Sequence, residues 1–366
     1  MRSPGRRKLL LAGSALLALA VGAGVAYGPV RNWYYLQQLA RASGAAREGW
    51  VERVAGLGEA ALPGLCRLLN QDDARACDNA RAALDRITQG WPADDPRWAE
   101  LVGRLAADYP QRSLPGRENT LQQLSAWLRL GANRRPRALG PGAERLLTEV
   151  QHNARDVEGP ALDLVGALLA LPDEPHALAA CRELVRRGLA SAEAENRIRA
   201  IEIAQQPRLG LLAQVTPLLS DPQPEVRRAA LLAVGPSPEA ITTDNLLPWL
   251  HDADADVRRL CEAALLARSD FRPEHLHLAR LITSPQPAVR LQVLGYLQRD
   301  SSLEPGIWLR RLSHDPAPEV RAAAVRAAAA QADVDLTDLL EQKAQGDPSP
   351  TVSQLARYYL HAPKQR

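Results

Sequence analysis

Three alternating carboxylates form the cluster in the sequence that best suits a metal ion. Asp252, Asp254 and Asp256 have the spacing of the first ligands in a calcium-binding EF-hand loop. Such a loop also needs glycine at its sixth position and glutamate at its twelfth, where this chain has Val257 and Ala263. We therefore interpret the cluster as part of a turn and not as a metal site.

Histidine and lysine positions indicate no catalytic or cofactor-binding centre. His275 and His277 are two residues apart, and residues at that spacing do not share a helix face. None of the three lysines, Lys8, Lys343 and Lys364, directly follows a glycine, so the chain has no phosphate-binding G-x-x-x-x-G-K motif. We predict no catalytic residue, no cofactor, no metal and no small-molecule substrate.

The four cysteines leave one candidate disulfide. Cys66 and Cys77 are eleven residues apart on neighbouring predicted helices, and they could bond if the chain folds outside the cytoplasm. Cys181 and Cys261 are predicted to pack as small apolar side chains. The sequence leaves open whether Cys66 and Cys77 are joined.

One phrase recurs five times in the C-terminal part of the chain. Each copy begins with Asp, or once with Ser, and most copies continue Pro-x-Pro-x-Val-Arg. The copies start at Asp221, Asp252, Ser284, Asp315 and Asp347, and their valines are Val226, Val257, Val289, Val320 and Val352. Successive valines are separated by 31, 32, 31 and 32 residues. So constant a period predicts a tandem repeat of helix pairs.

Each part of the phrase has a predicted mechanical role. The leading Asp or Ser accepts hydrogen bonds from backbone N–H groups at the turn. The first proline ends the preceding helix, and the second stands where the next helix begins. The valine faces the core together with the residue four positions further on, which is Ala230, Cys261, Val293, Ala324 or Ala356.

The arginine of the phrase occupies an unfavourable position for a cation. Arg227, Arg258, Arg290 and Arg321 each fall in the first turn of a predicted helix, where the helix macrodipole is positive. We expect each to pair with the leading Asp of its own or the adjacent turn. A ladder of such Asp–Arg contacts would fix the register between repeats. A catalytic Asp–Arg pair is the alternative, but recurrence in successive repeats favours the structural role.

These residues resemble HEAT repeats, in particular the short HEAT-like class first associated with phycobilin lyases. The D-P-x-P-x-V-R turns carry the resemblance, which covers about residues 205–366. The departures are Ser284 for Asp, Ala253 and Ala255 for both prolines, and Ser353 for Arg in the last copy. The resemblance implies an α-solenoid of stacked antiparallel helix pairs and, most often, a role in protein interaction.

Helical patterning continues upstream with less regularity. The dipeptide Ile198-Arg199 resembles the Val-Arg of the repeated phrase, and it lies 28 residues before Val226. We interpret residues 48–204 as degenerate helical repeats that continue into the regular repeats of residues 205–366. A separate helical domain at about 48–140 is the alternative.

The first residues of the chain have the pattern of a membrane signal. Residues 1–8 form a basic tail, and the uncharged run from Leu9 to Tyr27 would be about 28 Å long as a helix. We predict a single membrane-spanning helix over 9–27 and a juxtamembrane segment over 28–47. The N-terminus would be cytoplasmic and the body extracytoplasmic. A cleaved signal peptide and a secreted body are the alternative.

Charge and composition narrow the function classes. Residues 1–47 hold seven basic and no acidic residues, whereas the remainder holds 38 basic and 42 acidic residues. The body is therefore not expected to bind nucleic acid. Aromatic residues are only 4% of the chain, which disfavours a β sandwich or barrel and favours closely packed helices.

The function expected from these features is a membrane-anchored, non-enzymatic scaffold that binds another protein through its solenoid. The alternative suggested by the resemblance is a lyase, or a lyase subunit, acting on a tetrapyrrole–protein linkage. A structural spacer in the cell envelope is the third possibility. The sequence identifies neither the partner nor the binding face.

Overall fold

The computed structural model describes residues 28–131, 134–136, 139–153, 156–171, 178–300, 303–331 and 334–361, with the backbone alone at 152–153. Every regular element among these residues is a helix, so the predicted all-α class is confirmed. The chain divides into an N-terminal unit, Met1–Gln214, and a C-terminal unit, Val215–Arg366. The predicted anchor, from Leu9 to Tyr27, lies outside the described residues, and no described helix is both long and apolar enough to cross a membrane.

Neighbouring helices of the N-terminal unit pack in pairs. In chain order the helices are 28–41 (α1), Ala45–Ala55 (α2), Leu62–Leu68 (α3), Ala74–Thr88 (α4), Arg97–Asp108 (α5), Leu114–Leu128 (α6), Leu139–Asn153 (α7), Glu158–Leu169 (α8), Leu178–Leu189 (α9) and Ala194–Ala204 (α10). Helix α3 packs against α4, α7 against α8, and α9 against α10. Alternate helices also pack in series, α4 on α6, α6 on α8 and α8 on α10.

The C-terminal unit repeats this arrangement with shorter elements. Its helices are Pro224–Val234 (α11), Thr243–Leu246 (α12), Ala255–Leu266 (α13), Leu276–Ile282 (α14), Pro287–Arg290 (α15), Gln292–Arg299 (α16), Pro305–Ser313 (α17), Pro318–Ala329 (α18), Thr337–Gly346 (α19) and Pro350–His361 (α20). The pairs α17–α18 and α19–α20 are in contact, and α11 packs on α13 as α18 packs on α20. A proline inside Leu212–Ser220 and one in the first turn of Leu247–His251 accompany 3-10 geometry.

Aromatic side chains and close helix contacts fill the core of the N-terminal unit. The Trp98 ring meets Trp91 edge-on at a centroid distance of 5.1 Å and Trp127 at 5.0 Å. This geometry is favourable for aromatic pairs. At the start of α6, a Cβ on Gly116 would lie 1.7 Å from the carbonyl oxygen of Leu69. Glycine is therefore required where α6 approaches the end of α3.

The repeated valines and the residues four positions after them contribute small side chains to the core of the C-terminal unit, which also contains the fully buried Trp308. The valines Val226, Val257, Val320 and Val352 are buried, and so are all five residues four positions further on, Ala230, Cys261, Val293, Ala324 and Ala356.

Val289 differs from the prediction, because its side chain is only half-buried. It lies in α15, a short helix that ends at Arg290, and a new helix begins at Gln292. The interruption at Leu291 separates Val289 from Val293, and only Val293 is fully buried.

Candidate interaction groove and the arginine ladder

The leading residue of each repeat turn organises the entry to the following helix. A carboxylate oxygen of Asp221 accepts a hydrogen bond of 2.9 Å from the backbone N–H of Gln223. The equivalent bonds are 2.8 Å at Asp252, 3.3 Å at Ser284, 2.8 Å at Asp315 and 2.9 Å at Asp347. The helices then begin at Pro224, Ala255, Pro287, Pro318 and Pro350. Proline suits this position because the first helical N–H has no partner within the helix.

Each arginine of the repeated phrase holds its own turn. Nη1 of Arg290 donates hydrogen bonds to the carbonyl oxygens of Ser284 at 2.8 Å and Pro285 at 3.1 Å. The arginines at 227, 258 and 321 make the same two bonds, six and five residues back along the chain. The four guanidinium groups are therefore held in a common way relative to their turns.

Three of these arginines also bind the leading Asp of the following turn, and we call each such pair a rung. The rungs are Arg227–Asp252 with bonds of 2.9 and 2.7 Å, Arg290–Asp315 with 2.6 and 2.7 Å, and Arg321–Asp347 with 2.9 and 3.0 Å. In each, Nε and Nη2 donate to the two carboxylate oxygens. A bidentate pair of this kind is directional. Each rung therefore fixes one repeat turn relative to the next.

The rungs hold their groups in the charged form. Burial alone would raise the pKa of Asp252, but the hydrogen bonds from Arg227 and from the backbone N–H of Asp254, together with the nearby positive charges, lower the pKa of that carboxyl below its ordinary value. The same balance, with Arg321 as the donor, lowers the pKa of Asp347. The hydrogen bonds from Arg290 to Asp315 raise the pKa of that guanidinium. The rungs are thus ion pairs at neutral pH.

The ladder has a gap at the third turn, where Ser284 stands in place of Asp. Arg258 makes both bonds to its own turn, at 2.7 Å to the carbonyl oxygen of Asp252 and 3.0 Å to that of Ala253. Within the described part of the chain, no carboxylate pairs with Arg258, because the following turn offers only a hydroxyl. The half-buried Arg258 therefore lacks the carboxylate that its three counterparts have.

A groove of about 750 Å³ opens at this gap in the ladder. Two of its polar lining residues, Arg290 and Asp315, form the next rung, and Ser284 belongs to the gap. The apolar part of the lining consists of Leu247, Pro248, Ile282, Pro285 and Pro316. Mixed apolar and polar walls at this volume are typical of binding sites.

More cationic than anionic side chains line the groove. Arg310 is 47% exposed and donates through Nη2 to Asp338 at 3.0 Å. Arg311 pairs with Asp244, which lies 67 positions earlier in the sequence. His314 is exposed, and its Nδ1 lies 2.9 Å from the carbonyl oxygen of Arg310. All three arginines of the described lining are paired with aspartates, Arg290 with Asp315, Arg311 with Asp244 and Arg310 with Asp338, so the lining itself carries little net charge.

One turn of the N-terminal unit has the same arginine geometry. Nη1 of Arg197 donates at 2.9 Å to the carbonyl oxygens of both Ser191 and Ala192. The sequence aligns Arg199 with the arginines of the ladder, but Arg199 donates to Glu195 on its own helix at 2.7 Å. The register of this degenerate repeat therefore differs by two residues from the one that the sequence suggests.

A second cleft, of about 600 Å³, lies near this turn and is acidic. Its lining includes Glu118, Asp156, Glu158 and Glu193, with Arg199 as the cation. The cleft in the N-terminal unit is thus acidic, whereas the lining of the groove in the C-terminal unit is close to neutral.

The alternating carboxylates at 252, 254 and 256 are used by the turn. Asp252 belongs to a rung, and Asp254 accepts hydrogen bonds from the backbone N–H groups of Asp256 and Val257 at 3.0 Å each. Asp256 binds Arg228 at 2.9 Å. Among the described residues, no three His, Cys, Asp or Glu side chains come together as metal ligands.

Cys66 and Cys77 are buried free thiols, so the proposed disulfide between them is absent. Sγ of Cys77 lies 3.4 Å from the carbonyl oxygen of Gln71 and 3.6 Å from that of Leu68. Burial raises the pKa of both thiols. They are therefore protonated at neutral pH and weakly reactive.

Sequence reasoning did not find the groove as a site. It assigned Ser284, Arg290 and Asp315 to the scaffold, while Asp244 and Arg311 lie outside the repeated phrase and carried no signal. The one available signal was the loss of the leading Asp at Ser284.

No protein-family model and no curated protein matches the chain. Among solved structures, the chain is similar to the crystal structure of an engineered protein, at 18% sequence identity and a TM-score of 0.43. The similarity covers 91% of this chain and 95% of that one. At this level it assigns neither a repeat family nor a function.

Proposed function

We propose that this chain is a non-enzymatic scaffold that binds another protein in the groove of its C-terminal unit. The groove is lined by the ends of α12, α14 and α17, which come from three successive repeats. A surface assembled from successive repeats in this way is how α-solenoids bind extended segments of other proteins. This arrangement is the observation that carries the proposal.

The repeats themselves are proposed to be HEAT-like and to form an α-solenoid. Helices pack in neighbouring pairs, and the same hydrogen bonds recur at each turn of the C-terminal unit. Because each rung joins one turn to the next, the ladder would keep the lining of the groove in register without any ligand. A preformed surface loses less entropy when a partner binds.

Residues 9–27 are proposed to anchor this scaffold in a membrane, with the N-terminus in the cytoplasm and the body on the other side. The support is the sequence alone: a basic tail before an uncharged run of membrane-spanning length. An external protease that cannot cross membranes tests the orientation after epitope tags are added at each end. Protection of the C-terminal tag from external protease in intact cells, and its loss after disruption of the outer barrier, would agree with the proposal.

Site-specific photocrosslinking tests the binding proposal directly. A photoreactive residue is placed at His314, which is exposed and lines the groove, in the full chain in its own membranes. The matched control is Leu232, which is 59% exposed on α11 and does not line the groove. We expect discrete protein adducts from position 314 and none from position 232. No adduct at 314, or the same adducts at both positions, contradicts the proposal and favours a spacer without a ligand.

A further inference from the structure

We propose that the gap between Arg258 and Ser284 receives a carboxylate from the bound partner, and that the occupant of the groove is an extended acidic peptide segment. This inference rests on the proposed function, because it assigns the chemistry of the segment that the groove would bind. A side-chain carboxylate of the partner would occupy the place that Asp252, Asp315 and Asp347 fill in the three complete rungs.

The complete rungs define what Arg258 lacks. In each of them Nη1 binds the carbonyl oxygens of its own turn, which leaves Nε and Nη2 directed at the next leading residue. Nη1 of Arg258 makes the same bonds to its own turn, so its guanidinium group is held in the same way relative to that turn. Among the described residues, Nε and Nη2 of Arg258 have no hydrogen-bond acceptor. The half-buried cation is thus prepared for a carboxylate that this chain does not supply.

Ser284 leaves room for that carboxylate. A serine side chain has two fewer heavy atoms than an aspartate side chain, and its hydroxyl oxygen already accepts a hydrogen bond from the backbone N–H of Gln286. Ser284 also lines the groove. The equivalent position in the next turn is filled by Asp315. Ser284 is therefore the residue that the gap and the groove share, whereas Arg258 is not itself part of the groove lining.

The rest of the groove favours an extended peptide over a small anion. Its volume of about 750 Å³ greatly exceeds that of one carboxylate, and its walls include the apolar side chains of Leu247 and Ile282. The guanidinium group of Arg258 is the cation at the gap, and Arg310 offers a second, exposed guanidinium group that is paired with Asp338. A segment in which acidic residues alternate with apolar ones matches both features.

A polyphosphate partner is the competing occupant, because phosphate also pairs with guanidinium groups. The apolar part of the groove lining opposes it, because a polyphosphate chain has no apolar group to pack against Leu247 and Ile282. A peptide carboxylate is therefore the better match.

Fluorescence anisotropy on the full chain in nanodiscs tests the inference. The probe is a labelled peptide of alternating Glu and Leu, with the same peptide carrying Gln in place of Glu, and a labelled single-stranded oligonucleotide, as comparisons. Empty nanodiscs correct for partition of the probes into lipid. We expect the Glu peptide to bind about tenfold more tightly than the Gln peptide, the ratio expected for one charge-assisted pair.

Two substitutions locate the binding at the gap. Arg258→Gln should weaken binding of the Glu peptide about tenfold, whereas its neighbour Arg259→Gln, at an exposed position outside the ladder, should leave it within about twofold. Ser284→Asp should also weaken binding, because the chain would then supply its own carboxylate. This second variant adds a rung and removes none, so a loss of binding in it cannot be ascribed to a damaged repeat.

Several results would overturn the inference. Equal loss in Arg258→Gln and Arg259→Gln would indicate attraction by charge alone, and unchanged binding in Ser284→Asp would place the peptide elsewhere. If the Gln peptide bound as tightly as the Glu peptide, or the oligonucleotide bound more tightly, a peptide carboxylate would not be the group that binds at the gap. Crosslinking at position 314 that persists in Arg258→Gln would leave the scaffold function standing while this inference fails.

Discussion

The N-terminal unit packs Trp98 between Trp91 and Trp127, whereas the C-terminal unit joins its turns through Arg–Asp rungs. Aromatic burial depends on area and tolerates a range of ring positions. A bidentate ion pair tolerates little change in distance or angle. The two units therefore place different demands on the spacing of their repeats.

This difference accounts for the unequal regularity of the two halves of the sequence. Rungs between successive turns require a constant repeat length, and the valines of the C-terminal unit recur every 31 or 32 residues. The three clustered tryptophans of the N-terminal unit, at 91, 98 and 127, have no common period. A regular repeat phrase thus reflects directional contacts between repeats, and its absence does not indicate a different class of fold.

Removal of the central tryptophan should be the most damaging change in the N-terminal unit. Trp98→Ala deletes a buried indole and should cost about 3–5 kcal/mol of local stability. Hydrogen exchange monitored by mass spectrometry should show loss of protection in α5 and α6, while α18 and α20 of the C-terminal unit keep theirs. Equal loss in α18 would contradict the separation of the two packing modes.

Breaking a complete rung should have a smaller but still large effect in the C-terminal unit. The side chains of Arg290 and Asp315 are only 8% and 3% exposed, so Arg290→Met leaves a buried carboxylate without its cation. We expect a loss of about 3 kcal/mol. The matched control is Arg258→Met, which removes the same bonds to its own turn but no rung, and should cost about 1 kcal/mol. Equal losses of stability in the two variants, measured by hydrogen exchange, would show that the rung contributes nothing to stability.

Acidification should weaken the rungs. The folded-state pKa values of Asp252 and Asp347 are lowered, so they lie below the unfolded value of about 3.9. The stability that these pairs contribute is fully present above about pH 4 and is lost as the pH falls through the folded-state pKa values. Protection of α13 and α20, corrected for intrinsic exchange rates, should therefore fall below about pH 4 more than that of α6. If the protection of α13 and α20 relative to α6 did not change with pH, the rungs would not contribute the expected stability.

Much of the C-terminal unit could be predicted because local chemistry decides it. The Pro-x-Pro turns, the helix starts and the buried positions four residues after each valine depend only on contacts within a turn or helix. The direction of the rungs could not be predicted, since an Asp of the same turn or of the next turn was equally compatible with the pattern. In the structure, Nη1 binds the carbonyl oxygens of its own turn, and this leaves Nε and Nη2 to bind the carboxylate of the following turn.

The features that the sequence did not predict combine residues from distant positions. The groove brings Asp244 and Arg311 together across 67 positions, and the tryptophan cluster joins Trp91 to Trp127. Neither set has a period or a local motif. Val289 shows the same limit, because its partial exposure follows from a helix break at Leu291 that no proline or glycine marks.

A double-mutant cycle tests whether Arg258 and Ser284 mark an incomplete rung. Ser284→Asp is introduced into the wild-type chain and into Arg258→Met, and the stability of α13 and α16 is measured by hydrogen exchange in all four proteins. We expect a gain of about 1 kcal/mol in the wild-type background, in the range of a favourable added ion pair, and no gain when Arg258 is absent. The same change in both backgrounds, or a loss of stability in the wild-type background, would contradict this expectation.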